Sequence, residues 1–478
     1  MPETAALYPI FAGGRWTESP DKLVVTRPGS GTEVGTTFLA TEEQYEAAVE
    51  RACAVREDLA AVPSYERSRI LTTVAGQILA EHESLAATLC AEVGKPIKDA
   101  RTEVERSALT FRVAAEEVAR LTGEFMPLDI NAASRGRFGI TRRFPAGPVA
   151  GISPFNLPLS LAVHKVAPAM AVGVPIVLKV PSAAPLTMLK VARLIDEAGA
   201  LPGSVSVLPM SRTLGDKMVT DGRFKVLSFT GSPAVGWDMK SRAGKKKVVL
   251  ELGGNAGVIV DASADVRRAA QRSALGAFKY AGQTCISVQR IFVHQQVWDE
   301  FTELFVGHAA GLRLGDPADP KTDLGPMIDE PAAARIDGWV TDAVAAGGRI
   351  LLGGQRDGAY YPPTVLADVP SSARVCRDEA FAPVAVLSPV RDFDEAVAAV
   401  NDSPFGLQAG VFTTDLWNSW RAFERLEVGG VVLNDAPTYR VDHMPYGGVK
   451  DSGLGREGVR YAMEDMTELR LLVVAMPS

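Results

Sequence analysis

Cysteine and histidine are scarce in this chain: 478 residues carry four cysteines and five histidines. Cys53, Cys90, Cys285 and Cys376 stand far apart, and none falls in CxxC spacing. That excludes the usual structural zinc sites and a disulfide framework, and predicts reduced thiols. Positive charge is in deficit as well, with 50 Lys and Arg against 57 Asp and Glu and a net charge of -7. Such a balance favours solubility and offers nothing to nucleic acid. The basic run Lys245-Lys246-Lys247 is the local exception and reads as a solvated turn leading into the strand VVLEL. Long hydrophobic runs are missing too: the oily stretch from Leu157 to Val180 is broken by His164, Lys165, Pro168, Pro175 and Lys179, well short of a membrane span. The start, MPETAALYPIFAGGRW, has no basic region ahead of an apolar stretch, so no signal peptide is expected. These absences predict a cytoplasmic protein with no membrane segment and no nucleic-acid partner.

What is present is an ordinary globular composition, 47% hydrophobic and 22% charged, in a chain too long for one core. From Thr41 to Val93 the sequence is rich in Ala, Glu, Leu and Arg, and Thr41 with Gln44 forms a capping box ahead of a helical apolar period. After Pro145 short apolar runs alternate with helical stretches: PVAGISP, LAVHKVAPAMAVG, PIVLKVP, LTMLKVARLIDEAG, GSVSVLP and FKVLSFTGS. A second series follows Gly254, with AGVIVD, VRRAAQRSALGAFKYAG, QRIFVH and VWDEFTELFVGHAAGL, and later AVAVLSPV. Both series predict βαβ units, hence two α/β domains that meet near residue 253. The segment GRFGITRRFPAGPVA reads as an extended hairpin that projects from the first domain. The terminal run ELRLLVVAM leaves an apolar edge that calls for a partner subunit.

Three places carry chemistry. In AGQTCISVQR, Cys285 follows Gly282, Gln283 and Thr284, a turn composition that exposes a thiol, so it is a candidate nucleophile. FKVLSFTGSPAVG reads as strand, Thr230-Gly231-Ser232 turn and helix start, where backbone N–H groups can meet a phosphate, although it lacks the GxGxxG pattern. VVLELGGNAG sets Glu251 at the end of an apolar strand, where open α/β folds bind ligands.

Together with SPFNLPL, VLKVPS, DEAFAPV, NDSPFGLQAGVFT and PYGGVKDSGLGREG, these motifs stand in the order and spacing of the aldehyde dehydrogenase superfamily, which the chain resembles over essentially its whole length. The style is nearest to lactaldehyde, sulfolactaldehyde and succinic-semialdehyde members. The resemblance implies two Rossmann-like open-sheet domains and a small β oligomerisation arm. Residues 1–125 and 146–252 would bind the dinucleotide, 253–452 would form the catalytic domain, and 126–145 with 453–478 the arm and terminal strand. It implies oxidation of an aldehyde to a carboxylic acid with NAD or NADP, in a homodimer or homotetramer. Cys285 would be the nucleophile, Asn156 the oxyanion residue and Glu251 the base that hydrolyses the thioester. Lys179 counts with both the catalytic and the cofactor set. Ser182, Arg212, Thr230, Gly231, Ser232, Glu379, Phe381, Ser153 and Phe155 complete the cofactor set.

One departure bears on the cofactor. Many NAD-preferring relatives carry a glutamate three residues after the ribose-binding lysine, and here that position is Ser182. Without that carboxylate a 2′-phosphate is tolerated and Lys179 or Arg212 can pair with it, which leaves NADP use open. For the substrate, His164, Lys279, Arg440 and His443 fall where the family lines its tunnel, which points to a short anionic or hydroxylated aldehyde, whereas Phe111 and Tyr439 would make the tunnel apolar. Two other readings compete: a cysteine-dependent esterase, separated by the absence of reduced nicotinamide at 340 nm, and a non-catalytic binding protein, whose signature would be loss of Cys285, Glu251 or Asn156.

Overall fold

The computed structural model describes residues 6–476, so the outermost ends of the expected first domain and terminal strand lie outside it. Its first sheet has a parallel centre in which Val205–Pro209, Ile176–Val180, Val149–Ile152, Val226–Thr230 and Lys247–Glu251 lie side by side. In chain order this is third, second, first, fourth, fifth, the Rossmann arrangement, and the winding reverses between Val149–Ile152 and Val226–Thr230. VSVLP and VLSFT are buried throughout, as strands covered on both faces must be. Antiparallel strands close the edges, Ile10–Ala12 on one side and Gly453–Leu454 on the other, where Leu454 faces Leu250. Gly453 and Leu454 therefore pair with the first sheet, and the last strand runs Thr467–Ala475.

Helices cover both faces. Ser64–Ala80, Ile97–Glu117, Pro158–Val172 and Leu186–Glu197 share one core with the sheet, which includes Val74, Val104, Val166 and Ile195. Glu42–Ala54 packs on the opposite face through Tyr45 and Val49. That helix starts at the expected capping box, with Thr41 N–H donating to Gln44 Oε1 at 3.0 Å and Gln44 N–H to Thr41 Oγ1 at 3.3 Å. Pro158–Val172 is buried all round, which is why it reads as a membrane-like stretch. No helix among the described residues is long and apolar enough to cross a membrane.

The second sheet runs Arg349–Leu352, Thr364–Ala367, Val384–Val390, Val288–His294, Ala256–Val260, Gln408–Phe412 and Gly430–Leu433, parallel except for the first strand. A third, antiparallel sheet joins Phe125–Pro127, Arg137–Pro145 and Thr467–Ala475. Leu469, Leu471, Leu472 and Val473 on its last strand are exposed, so both faces of this ribbon carry bare apolar side chains.

Candidate active site

The carboxyl ends of the first sheet meet the turn that precedes Val288–His294. Thr230 and Glu251 are the last residues of their strands, and Asn156 lies between Val149–Ile152 and the helix Pro158–Val172. The turn that delivers Cys285 holds three successive left-handed residues, Tyr280 (φ 50°), Ala281 (φ 51°) and Gly282 (φ 67°). For the two non-glycines this costs about 1–3 kcal/mol each, so the surroundings must fix it. They do: Tyr280 and Ala281 are buried, and Gln283 Oε1 accepts the Ile328 N–H at 2.9 Å. Position 282 must be glycine, because a Cβ there would lie 2.1 Å from the Ala382 carbonyl oxygen.

Cys285 Sγ lies 3.0 Å from Tyr446 Oη. Burial pushes the thiol up to about 12, and the Tyr446 hydrogen bond works against that rise. Asn156 is 4% exposed and donates Nδ2–H to Gln283 O at 3.0 Å, which leaves the second amide hydrogen free. It does not cap the helix that follows. That task falls to Glu103, whose Oε1 accepts the N–H groups of Leu159 and Ser160 at 3.1 Å each. Lys95 binds Glu103 and also donates to Asn156 O at 2.8 Å, so the Asn156 backbone is pinned. Glu251 is 3% exposed, and neither carboxylate oxygen has a partner. Burial, and after it the neighbouring Glu457, raise its pKa well above the usual carboxylate range.

Cys285, Glu251 and Tyr446 line a cavity of about 120 Å³, and Leu157, next to Asn156, lines it too. One wall is a stripe of Ile97–Glu117 in which Asp99, Thr102, Glu103 and Arg106 recur at helical spacing. Arg106 Nη2 donates to Asp442 Oδ1 at 2.7 Å, and His164 Nε2 meets the same oxygen at 2.9 Å. Arg440 also lines the cavity, paired with buried Glu457, its guanidinium 3.9 Å from the Tyr446 ring centre and its Nε without a partner. Lys279 also lines it, 3.2 Å from Asp99 and half exposed.

Four expected substrate residues are not brought here. Phe111 is fully buried in the first core, five positions past Arg106 and off the polar stripe. His164 lies on a buried face of its helix, bound to Asp442, and burial lowers its pKa. Tyr439 and His443 are exposed. Thr438 and Arg440, the two neighbours of Tyr439 after a turn closed by the Tyr439 N–H to Ala436 O at 3.1 Å, line the cavity instead. Arg106 and Tyr446 escaped the sequence reading; the spacing of Asp99, Thr102, Glu103 and Arg106 was the signal for the first.

A larger cleft of about 490 Å³ opens beside Lys179, Ser182, Arg212 and Phe229, at the reversal point of the first sheet. Burial alone acts on the Lys179 ammonium and lowers its pKa, and no acceptor among the described residues meets it. The Gly231 N–H is committed to Glu251 O at 3.0 Å, while Ser232 starts the helix Pro233–Arg242 with its hydroxyl unengaged. The Thr230 hydroxyl takes a hydrogen bond from Lys165 at 2.8 Å, and Ser153 N–H donates to Lys179 O at 3.1 Å. Glu379 accepts the Gly254 N–H at 3.0 Å and burial lifts it to about 7. Phe381, at φ 48°, meets Phe155 edge-on at 5.9 Å. An unpaired cation, a free hydroxyl and a helix start fit a dinucleotide with phosphate groups.

The profile of the aldehyde dehydrogenase family matches residues 16–472. The chain is 41% identical to a 3-sulfolactaldehyde dehydrogenase of Priestia aryabhattai, over 98% of both chains. It is 40% identical to a lactaldehyde dehydrogenase of Methanocaldococcus jannaschii, over 98% of this chain and 100% of that one. Among solved structures, aldehyde dehydrogenase 21 from Physcomitrella patens, in complex with the reaction product succinate, superposes with a TM-score of 0.97 at 47% identity over 99% of each chain. Glyceraldehyde-3-phosphate dehydrogenase from Methanocaldococcus jannaschii, complexed with NADP, does so at 0.91 and 40% identity, over 95% of this chain and 99% of that one. With Cys285 and an unpartnered Glu251 on one cavity and an unpaired Lys179 in a cleft of the first sheet, the chain belongs to the aldehyde dehydrogenase family and oxidises aldehydes to carboxylic acids with NAD or NADP.

Proposed function

We propose that Cys285, Asn156 and Glu251 carry out this oxidation on short aldehydes with an anionic far end, with NADP as the favoured cofactor. The observation that carries the substrate class is the placement of Arg106 and Arg440 on the wall of the cavity that also holds Cys285. Arginine matches carboxylate, sulfonate and phosphate alike through its planar fork. Relatives with such substrates or products, 3-sulfolactaldehyde and succinate, agree with that chemistry.

As Sγ bonds the carbonyl carbon, the carbonyl π pair moves to oxygen, where the free Asn156 amide hydrogen and the Cys285 N–H hold the charge. The thiol proton goes to Glu251, whose oxygens are otherwise unengaged. The bound dinucleotide supplies the hydride acceptor. Lys179, Ser182 and Arg212 would hold its adenosine end and Glu379 its nicotinamide ribose. Loss of the hydride from the adduct carbon leaves a thioester on Cys285, and Glu251 releases the thiol proton to solvent. Glu251 then takes a proton from the water that attacks the thioester, the C–S bond breaks, the acid leaves, and the proton returns to the Cys285 sulfur. The exposed third sheet supports a dimer or a tetramer of dimers, and four free cysteines support a cytoplasmic location.

The test compares succinic semialdehyde with pentanal, in the wild type and in Arg106→Ala. Arg106 suits this better than Arg440, because its loss leaves Asp442 still bonded to His164. We expect at least a tenfold preference for the anion in kcat/KM, reduced about tenfold or more by the substitution. Equal use of both aldehydes would overturn the substrate class.

A further inference from the structure

Outside the residues already given roles, a fully buried phenol touches the reacting sulfur. Tyr446 Oη stands 3.0 Å from Cys285 Sγ, and the ring is held on every side. Its backbone N–H donates to Glu457 O at 2.8 Å, and the Arg440 guanidinium lies 3.9 Å above its centre. With Arg440 paired to Glu457, these three residues form one connected unit around the phenol. We propose that Tyr446 is a catalytic residue: its hydroxyl donates a hydrogen bond to Cys285 Sγ, stabilises the thiolate and aims the sulfur at the carbonyl carbon. This rests on Cys285 being the nucleophile.

The phenol keeps its proton throughout. Burial raises its own pKa well above the ordinary value, so it acts as a donor and never as the base. The thiolate needs such a donor because burial disfavours the anion most, and among its charged neighbours Glu379 and Glu251 disfavour it too while Arg440 favours it. As the C–S bond forms, the sulfur loses its negative charge to the carbonyl oxygen and the hydrogen bond weakens. Its value is therefore in populating the thiolate and fixing its direction.

The experiment is alkylation of the whole enzyme by iodoacetamide as a function of pH, followed on the peptide that bears Cys285, in the wild type and in Tyr446→Phe. The phenylalanine keeps the ring and its stacking under Arg440, so only the donor is lost. We expect the midpoint of the alkylation curve to rise by about one pH unit, the scale of one hydrogen bond to a charged group. Below the midpoint the rate should fall about threefold, less than the thiolate population, because a more basic thiolate is the better nucleophile. A ring-fluorinated tyrosine at 446, a stronger donor of the same shape, should move the midpoint downward. An unchanged midpoint in both variants overturns the proposal, and so does a shift of the same sign in both, which marks a packing effect. Cys285→Ala separates this from the parent reading: if turnover survives that substitution, the nucleophile is misassigned, whereas an unmoved midpoint with turnover lost defeats only the role of Tyr446.

Discussion

The cleft beside Lys179 and the cavity beside Cys285 are both lined with cations, and they treat charge in opposite ways. In the cavity every cation has a carboxylate: Arg440 with Glu457, Arg106 with Asp442, Lys95 with Glu103 and Lys279 with Asp99. In the cleft Arg242 is paired with Asp216 and Asp238, but Lys179 and Arg212 have no carboxylate at ion-pair distance among the described residues. An uncompensated cation attracts a phosphate through net charge, over a range set by the salt concentration. A compensated one offers directed N–H groups and little net field, so it selects by geometry. Cofactor affinity should therefore fall with ionic strength, and the KM for an anionic aldehyde should respond much less.

The largest separation of the two regions comes from Cys285→Ala. With Cys285 as the proposed nucleophile the covalent bond to the aldehyde cannot form, so turnover should drop by at least about 10⁴-fold, while the proposed cofactor cleft is untouched and dinucleotide affinity should stay within about twofold. Steady-state kinetics and cofactor titration check the two halves independently. Glu251→Gln comes next. Thioester hydrolysis should slow by about 10² to 10⁴-fold and acyl-enzyme should accumulate, visible by mass spectrometry after a single turnover. The pH sense follows from the raised pKa of Glu251. Its basic form grows as pH rises toward that value, so the hydrolysis rate of the wild type should climb with pH, and the glutamine variant should lose that climb.

On the cleft side, Ser182→Glu places a carboxylate beside Lys179 and cancels the free cation. We expect kcat/KM for NADP to fall about 10 to 100-fold, with NAD and the aldehyde KM little changed. Loss of activity with both cofactors to the same degree would mean that Lys179 does not face a 2′-phosphate.

What the sequence could reveal divides along the same physical lines. The parallel sheets were legible because strands buried on both faces read as short apolar runs, and Cys285, Glu251 and Asn156 could be singled out as candidates because each sits in a contiguous motif. Arg106 was not, since in IKDARTEVERSALTFRV one arginine among many charges looks like a solvated helix face, and its partner Asp442 is 336 residues away. His164 sits off the Cys285 cavity for the converse reason. A histidine in an apolar helix suggests a ligand, but a helix buried on all sides has inner faces other than the one on the cavity. The pair Gly453–Leu454 is too short to carry any period, so its addition to the first sheet could be found only in three dimensions.

The smallest expected effect is at the mouth of the cavity, and it tests whether compensation there works as argued. Lys279 is 46% exposed in its side chain and Asp99 is 11% exposed, so their pair lies in a wetter medium than Arg440 and Glu457. Pairs of this kind are worth about 0.2–1 kcal/mol, or less than about fivefold in an equilibrium. Lys279→Ala removes a cation but also leaves Asp99 bare on the cavity wall, so the KM for an anionic aldehyde should rise by about two to fourfold with kcat unchanged. Asp99→Asn frees the lysine and should lower that KM by a similar factor. The double variant should return close to the wild type, because it removes both charges at once. Should Lys279→Ala instead raise KM about a hundredfold, Lys279 would be a direct anchor for the substrate, and the view of the cavity as charge-compensated to its rim would fail.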